Sequence, residues 1–157
     1  MEVDELNPIK VGSVEDLKKL KEILVYLIEN LKETKYKTEL IKLSFILDYK
    51  YCKKFNKKVG PTTVGYIKYN YGPYSEAFVE AFNELIEEEI LIEIKLPFGI
   101  GYGMKKEEKI DLDEQSKQIL KEVIETFGES SLKQLKDFIY KREEFKKTQF
   151  GKTIVFN

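Results

Sequence analysis

Three glycines alternate in Phe98-Gly99-Ile100-Gly101-Tyr102-Gly103. A dinucleotide site needs such a loop between a strand and a helix whose N-terminus meets the pyrophosphate. Met104-Lys105-Lys106-Glu107-Glu108 follows instead, without a helical apolar stripe, so the glycines read as a hairpin loop. Gly151-Lys152-Thr153 has the ending of a phosphate-binding loop, but the first glycine of that pattern falls at Lys146 and no strand precedes it. Glu87, Glu88 and Glu89 are consecutive, so a helix would point them in different directions and not at one cation. Cys52 stands among Tyr51 and Phe55, and the chain has no histidine to activate it, which predicts a buried, inert thiol. The reading is therefore of no enzyme. No catalytic residue, cofactor-binding residue or metal ligand is assigned, and no cofactor is expected.

Two clusters carry information about partners. Lys50, Lys53, Lys54 and Lys57 form a stripe at helical spacing, within residues 35–60, where eight lysines face only Glu39 and Asp48. Residues 61–103 reverse the balance, with Lys68 and Lys95 against seven glutamates. The stripe fits nucleic acid or an acidic protein partner. It equally fits cations that complement a helix C-terminus, or that pack beside the acidic segment, and this structural reading is preferred. Arg142 is the only arginine, which leaves little capacity for bidentate reading of guanine. The second cluster is aromatic: Tyr66, Tyr69, Tyr71 and Tyr74 lie within nine positions, and Phe145, Phe150 and Phe156 are spaced along the C-terminal tail. Tyrosine joins a flat apolar body to a polar tip and serves both sheet packing and protein interfaces. Tyr74, Phe150 and Phe156 are taken as the candidate partner-binding residues.

The elements that must position these groups follow from periodicity. Ser13 is expected to cap a first amphipathic helix over 14–33, with Leu17, Leu20, Leu24, Leu27 and Leu31 on one face. A second helix, Thr38 to Phe55, is apolar all round in its middle and must be central. Thr62–Asn70 reads as a strand. Gly72-Pro73 reads as a tight turn, and Ser75 as the cap of a helix over 76–88. Ile90, Ile92, Ile94 and Leu96 alternate with Glu93 and Lys95, which predicts a strand buried on its isoleucine face. Pro97–Gly103 is expected as the loop and Met104–Leu112 as the return strand. Asp113 then caps a fourth helix ending at Gly128, and Ser131 with Gln134 makes a capping box for a fifth. Residues 143–157 read as an irregular tail. The order is α-α-β-α-β-β-α-α: an α+β, helix-rich fold of about five helices with a small, mostly antiparallel sheet.

The chain has 157 residues with 42% hydrophobic, enough for one domain over 1–157 with a core that needs neither disulfide nor metal. Charged residues make up 35%, and 27 basic against 28 acidic side chains leave −1. That excludes a strongly basic nucleic-acid coat or an acidic tail as a whole-chain property. Residues 1–12 read as a flexible, acidic N-terminus with neither a signal nor a transit character, and no stretch has the length of a membrane span. A cytoplasmic location is expected. Lysine in place of arginine, abundant glutamate and missing histidine and tryptophan lean toward a thermophilic or archaeal source, and equally toward drift in codon usage.

Lys42-Leu43 inside an apolar helix, a strand entering Tyr71-Gly72-Pro73-Tyr74-Ser75, an amphipathic helix and an isoleucine-rich strand together resemble the SocA-like antitoxin, or Panacea, domain. Thr148 and Gly151-Lys152-Thr153-Ile154 match the threonine and glycine of its tail, so the resemblance spans about 37–156. Tyr66 and Tyr69 stand where the family often has an aromatic run with tryptophan. The resemblance implies a non-enzymatic, helix-rich domain that binds and neutralises a toxin protein, usually encoded beside it. The alternative is a winged-helix-like nucleic-acid-binding regulator, with a hairpin over 90–112 as the wing and Lys105, Lys106 and Lys109 on phosphates. About twenty residues between the second and third helices stand against a helix-turn-helix.

Overall fold

The computed structural model describes residues 12–156. Helix α1 is Leu17–Asn30 and helix α2 Lys37–Phe55. A short hairpin follows, β1 (Ile67–Tyr69) and β2 (Gly72–Tyr74), then helix α3 (Ala77–Glu87). A second hairpin, β3 (Leu91–Leu96) and β4 (Gly99–Met104), leads into helices α4 (Glu114–Phe127), α5 (Leu132–Tyr140) and the single turn α6 (Glu143–Lys146). Both sheets are antiparallel. The class is the expected α+β, in the expected order, with the first strand region folded back on itself and one helical turn added near the end.

Helix α2 is central because it buries residues on every side of its middle: Leu40, Ile41, Leu43, Phe45, Ile46, Leu47 and Cys52, together with Lys42, Ser44 and Asp48. Its start is held by Glu39, whose Oε1 accepts from Tyr36 N at 2.8 Å. Its end is turned by Asn56 in the left-handed region, a conformation asparagine tolerates. Helix α1 lays Leu20, Ile23, Leu24 and Leu27 on the core. It starts three residues later than Ser13 would set it, and Asp16 is the cap, accepting from Lys18 N at 3.1 Å. The reason is tertiary. Ser13 O accepts from Gly65 N at 2.7 Å and Val14 bridges Val64, so this stretch is extended against the loop after α2.

The strand expected over Thr62–Asn70 shortens to β1, and the turn moves. Asn70 and Tyr71 make it, while Gly72 and Pro73 lie inside β2, opposite Tyr69 and Lys68. The far edge of β1 takes the tail. Lys68 N donates to Lys152 O at 3.0 Å, Gly151 N to Lys68 O at 2.7 Å and Ile154 N to Tyr66 O at 2.8 Å. The tail is thus not irregular throughout; it is a helical turn followed by a segment paired to β1. The N-cap position of α3 is Glu76, which makes no side-chain cap bond; Ser75, one residue earlier than its expected role requires, holds the helix start instead, its Oγ accepting from Ala77 N at 3.1 Å.

The second hairpin keeps the expected face only in part: Ile90 is buried, Ile94 and Leu96 are half-buried and Glu93 and Lys95 are exposed, but the start of β3 departs from it. Leu91 and Tyr102 point inward, Tyr102 stacking on Phe82 at 4.2 Å, while Ile92 is 49% exposed. The glycines are the return strand rather than the loop, which is only Pro97 and Phe98, and no strand covers 105–112. Gly101 and Gly103 lie opposite Ile94 and Ile92, and a methyl group on Gly103 would stand 2.8 Å from Ile94 Cδ1. The isoleucines therefore lie flat across bare backbone. Helices α4 and α5 carry the caps expected of them, Asp113 accepting from Ser116 N at 3.0 Å and Ser131 from Gln134 N at 3.2 Å. No described helix is long and apolar enough to cross a membrane.

Candidate protein-binding surface

The Tyr71-Gly72-Pro73-Tyr74-Ser75 segment is held from below by a buried cation. Lys42 points from α2 toward the turn, and its Nζ donates to the Tyr71 carbonyl at 2.6 Å. Burial, with the neighbouring Lys136 charge, pulls its amine down to about 8. Gly72 completes the fit. Its φ of 117° is a region side chains rarely adopt, and a methyl group there would stand 3.4 Å from the Lys42 Nζ. With its carbonyl tied down, Tyr71 presents its ring outward, 73% exposed, with the Lys136 Nζ 5.9 Å from the ring centre.

Beside the turn the aromatics form a stacked row. Tyr69 lies between Tyr74, at 6.1 Å, and Phe150, at 5.6 Å, with the ring planes within 22° and 17°. Phe150 comes from the tail and reaches this place because Gly151 N is bonded to the Lys68 carbonyl. Tyr140 stacks on Phe145 at 5.1 Å on the other side, and the Lys68 Nζ donates to Phe145 O at 3.1 Å. Between these rings runs an open groove of about 480 Å³, lined by Lys68, Tyr69, Asn70, Tyr140, Lys146 and Phe150. Phe150 is 61% exposed, and Tyr69 and Tyr140 are also open to solvent. Rigid aromatic rings with polar tips, set around a shallow groove, are the side chains that anchor protein partners.

Residues 40–146 match the antitoxin SocA-like, Panacea domain family. The chain belongs to this family. No curated protein and no solved structure matches it. The match runs from the end of the first turn of α2 to the end of α6, so it contains both Lys42 and the Tyr-Gly-Pro segment. Helix α1 and Phe150 lie outside it.

Across this Panacea-family chain the other candidates named from the sequence fall in different places. Phe156 is not on the surface: it is 5% exposed and packs on Phe45, at 5.4 Å, and Tyr66, at 6.3 Å. The tail pairing with β1 carries it inward. Tyr74 is half-buried, with its hydroxyl 3.4 Å from Glu76 Oε1. The lysine stripe is largely engaged. Lys53 pairs with the buried Glu144 of α6, Lys54 reaches Glu122 at 4.0 Å, and Lys50 lies 5.6 Å from the Phe138 ring centre. Lys57 lies past the end of α2, exposed. Arg142 stacks over Phe138 at 4.2 Å and donates its Nε to the Phe138 carbonyl. Lys105 follows the hairpin instead of standing on it and pairs with Glu89 at 2.9 Å. The acidic helix α3 reaches across to α1, where Lys21 meets Glu84 and Glu88, and not to the lysine stripe.

One buried constellation had no counterpart in the motifs. Asp48 is fully buried in α2 and accepts from Thr62 N at 3.1 Å, from Tyr66 OH at 2.7 Å and from Thr62 Oγ1. Burial pushes its carboxyl up to about 7 against these three donors. Gly60 lies so close that any side chain there would collide with the carboxylate. Asp48 thereby ties the loop after α2 to the helix and fixes where Tyr66 enters the core. Cys52 is buried and its thiol is pushed up to about 12, first by burial and then by Asp48. Among the described residues no group of three histidine, cysteine or acidic side chains could hold a metal ion.

Proposed function

We propose that this chain is a non-enzymatic, cytoplasmic protein-binding module that neutralises a toxin protein, and that the toxin docks on the aromatic surface around Tyr69, Tyr71, Tyr140 and Phe150. The observation that carries the reading is the clamp between Lys42 and the Tyr71 carbonyl. It joins Lys42 to the Tyr-Gly-Pro segment, both within the matched range, and spends a buried cation on presenting a turn rather than on any reaction. The non-enzymatic part is supported by the chemistry of the available groups. The chain has no histidine, the Cys52 thiol is held protonated, and Asp48 is saturated by donors within the core. The partner is expected among the products of neighbouring reading frames.

The test is co-purification of the chain with the product of each adjacent frame, together with rescue of growth when the two are expressed in one cell. Binding that weakens at least about tenfold on Phe150→Ala or Tyr71→Ala, as hot-spot rings do, supports the reading. Binding untouched by both substitutions places the interface elsewhere.

A further inference from the structure

Strand β3 has an open outer edge. It pairs with β4 on one side only, whereas the far side of β4 is occupied by the bridge from Tyr36 to Gly101. The direction of its free groups follows from one bond. Lys105 N donates to Ile90 O at 2.8 Å, so the hydrogen-bonded pairs of the hairpin are Ile92 with Gly103, Ile94 with Gly101 and Leu96 with Gly99. The N–H and C=O groups of Glu93 and Lys95 therefore point away from β4, and no other described backbone meets them. Both side chains are exposed, and among the described residues neither has an ion-pair partner. On the opposite face Ile92, Ile94 and Leu96 make an apolar stripe across the glycines, and Phe98 at the tip is 92% exposed.

From this we infer that β3 pairs with β3 of a second copy of this chain, antiparallel, about a two-fold axis at Ile94. The register follows from geometry and charge. Outward groups must meet outward groups, so odd positions must face odd positions, which places the axis on a residue and not between two. An axis at Glu93 or Lys95 sets like charges opposite each other, which destabilises a cross-strand pair. An axis at Ile94 sets Glu93 opposite the partner's Lys95, and Lys95 opposite the partner's Glu93. The same register places Ile94 beside the partner's Ile94, and Ile92 beside the partner's Leu96, so the apolar stripe continues across the axis. About four backbone hydrogen bonds form, two at each charged pair. Pro97 has no N–H to extend the pairing, and the occupied edge of β4 closes the assembly at two copies. One short strand pair falls below the roughly 1,200 Å² of a stable interface, so the dimer is weak and concentration-dependent. This inference stands independently of the toxin reading, since the hairpin is apart from the aromatic groove.

Sedimentation equilibrium of the full chain, from micromolar to about 1 mM, tests it over the range where so small an interface associates. The expected result is a monomer–dimer equilibrium. Glu93→Lys and Lys95→Glu each weaken it about tenfold or more, since each sets two like-charged pairs across the axis. The double reversal, Glu93→Lys with Lys95→Glu, restores it. All three changes are on the surface and leave the circular dichroism spectrum and Tm of the monomer in place. A monomer at every concentration overturns the inference. So does a dimer indifferent to the single reversals, or one that the double reversal fails to restore.

Discussion

Asp48 and Lys42 are two ionisable groups buried on one helix, and each has a measurable signature. Asp48→Ala leaves Thr62 N and the Tyr66 hydroxyl without an acceptor, and each orphan costs about 1–3 kcal/mol. Asp48→Asn keeps the shape and can reverse the hydroxyl bonds, so it should cost less at neutral pH. The pH dependence has a definite sign. The folded carboxyl titrates at about 7, above the ~3.9 of an unfolded aspartate, so the fold holds the proton more tightly than the unfolded chain does. The stability this contributes is complete below about pH 4 and is lost as pH rises toward 7. Urea denaturation across that window should show a falling component in the wild type that Asp48→Asn removes. An unchanged slope in the variant would mean that Asp48 is ionised throughout. Lys42→Met should lower stability by about 1–3 kcal/mol, because it leaves the Tyr71 carbonyl unbonded in a half-buried place. It should also weaken partner binding, since the turn loses its anchor; a loss of Tm with full binding would show that the clamp serves only the fold.

At the scale of elements, the tail separates a core role from a surface role within six residues. Phe156→Ala removes a buried ring from the Phe45–Tyr66 cluster and should cost about 3–5 kcal/mol. Phe150→Ala should stay within about 0.5 kcal/mol in thermal denaturation, because its ring lies on the surface. Ser75→Ala should cost about 1 kcal/mol by removing the acceptor for Ala77 N. Equal effects of the two phenylalanine substitutions would contradict the tail pairing. The sequence carries the helix caps at Asp113 and Ser131 openly, because a cap is written within three residues of chain. The central place of α2 is equally open, since no exposed helix is apolar all round. The face of β3 was not, because it depends on which strand returns. Once the glycines are that strand, Ile92 and Ile94 can lie over bare backbone and Leu91 goes inward with Tyr102. Phe150 and Phe156 are the same residue type in one short tail, and only the distant partners Lys68 and Tyr66 separate their roles. Lys42 carried one signal, a lone cation amid apolar residues, but its partner carbonyl is 29 positions away.

For the molecule as a whole, near-neutral charge gives no long-range pull toward nucleic acid, and three of the four lysines of the stripe meet Glu144, Glu122 and aromatic rings, with Lys57 exposed. The proposed function sets recognition on the aromatic surface held by Lys42, with a protein as the partner. The most direct measurement is a pair of titrations at low and physiological salt, one with the purified product of the neighbouring frame and one with duplex DNA. The expected result is tight protein binding that depends weakly on salt and falls about tenfold or more with Phe150→Ala. Duplex binding that collapses with salt and disappears when Lys50, Lys53, Lys54 and Lys57 become glutamine, with no protein partner bound, would contradict it.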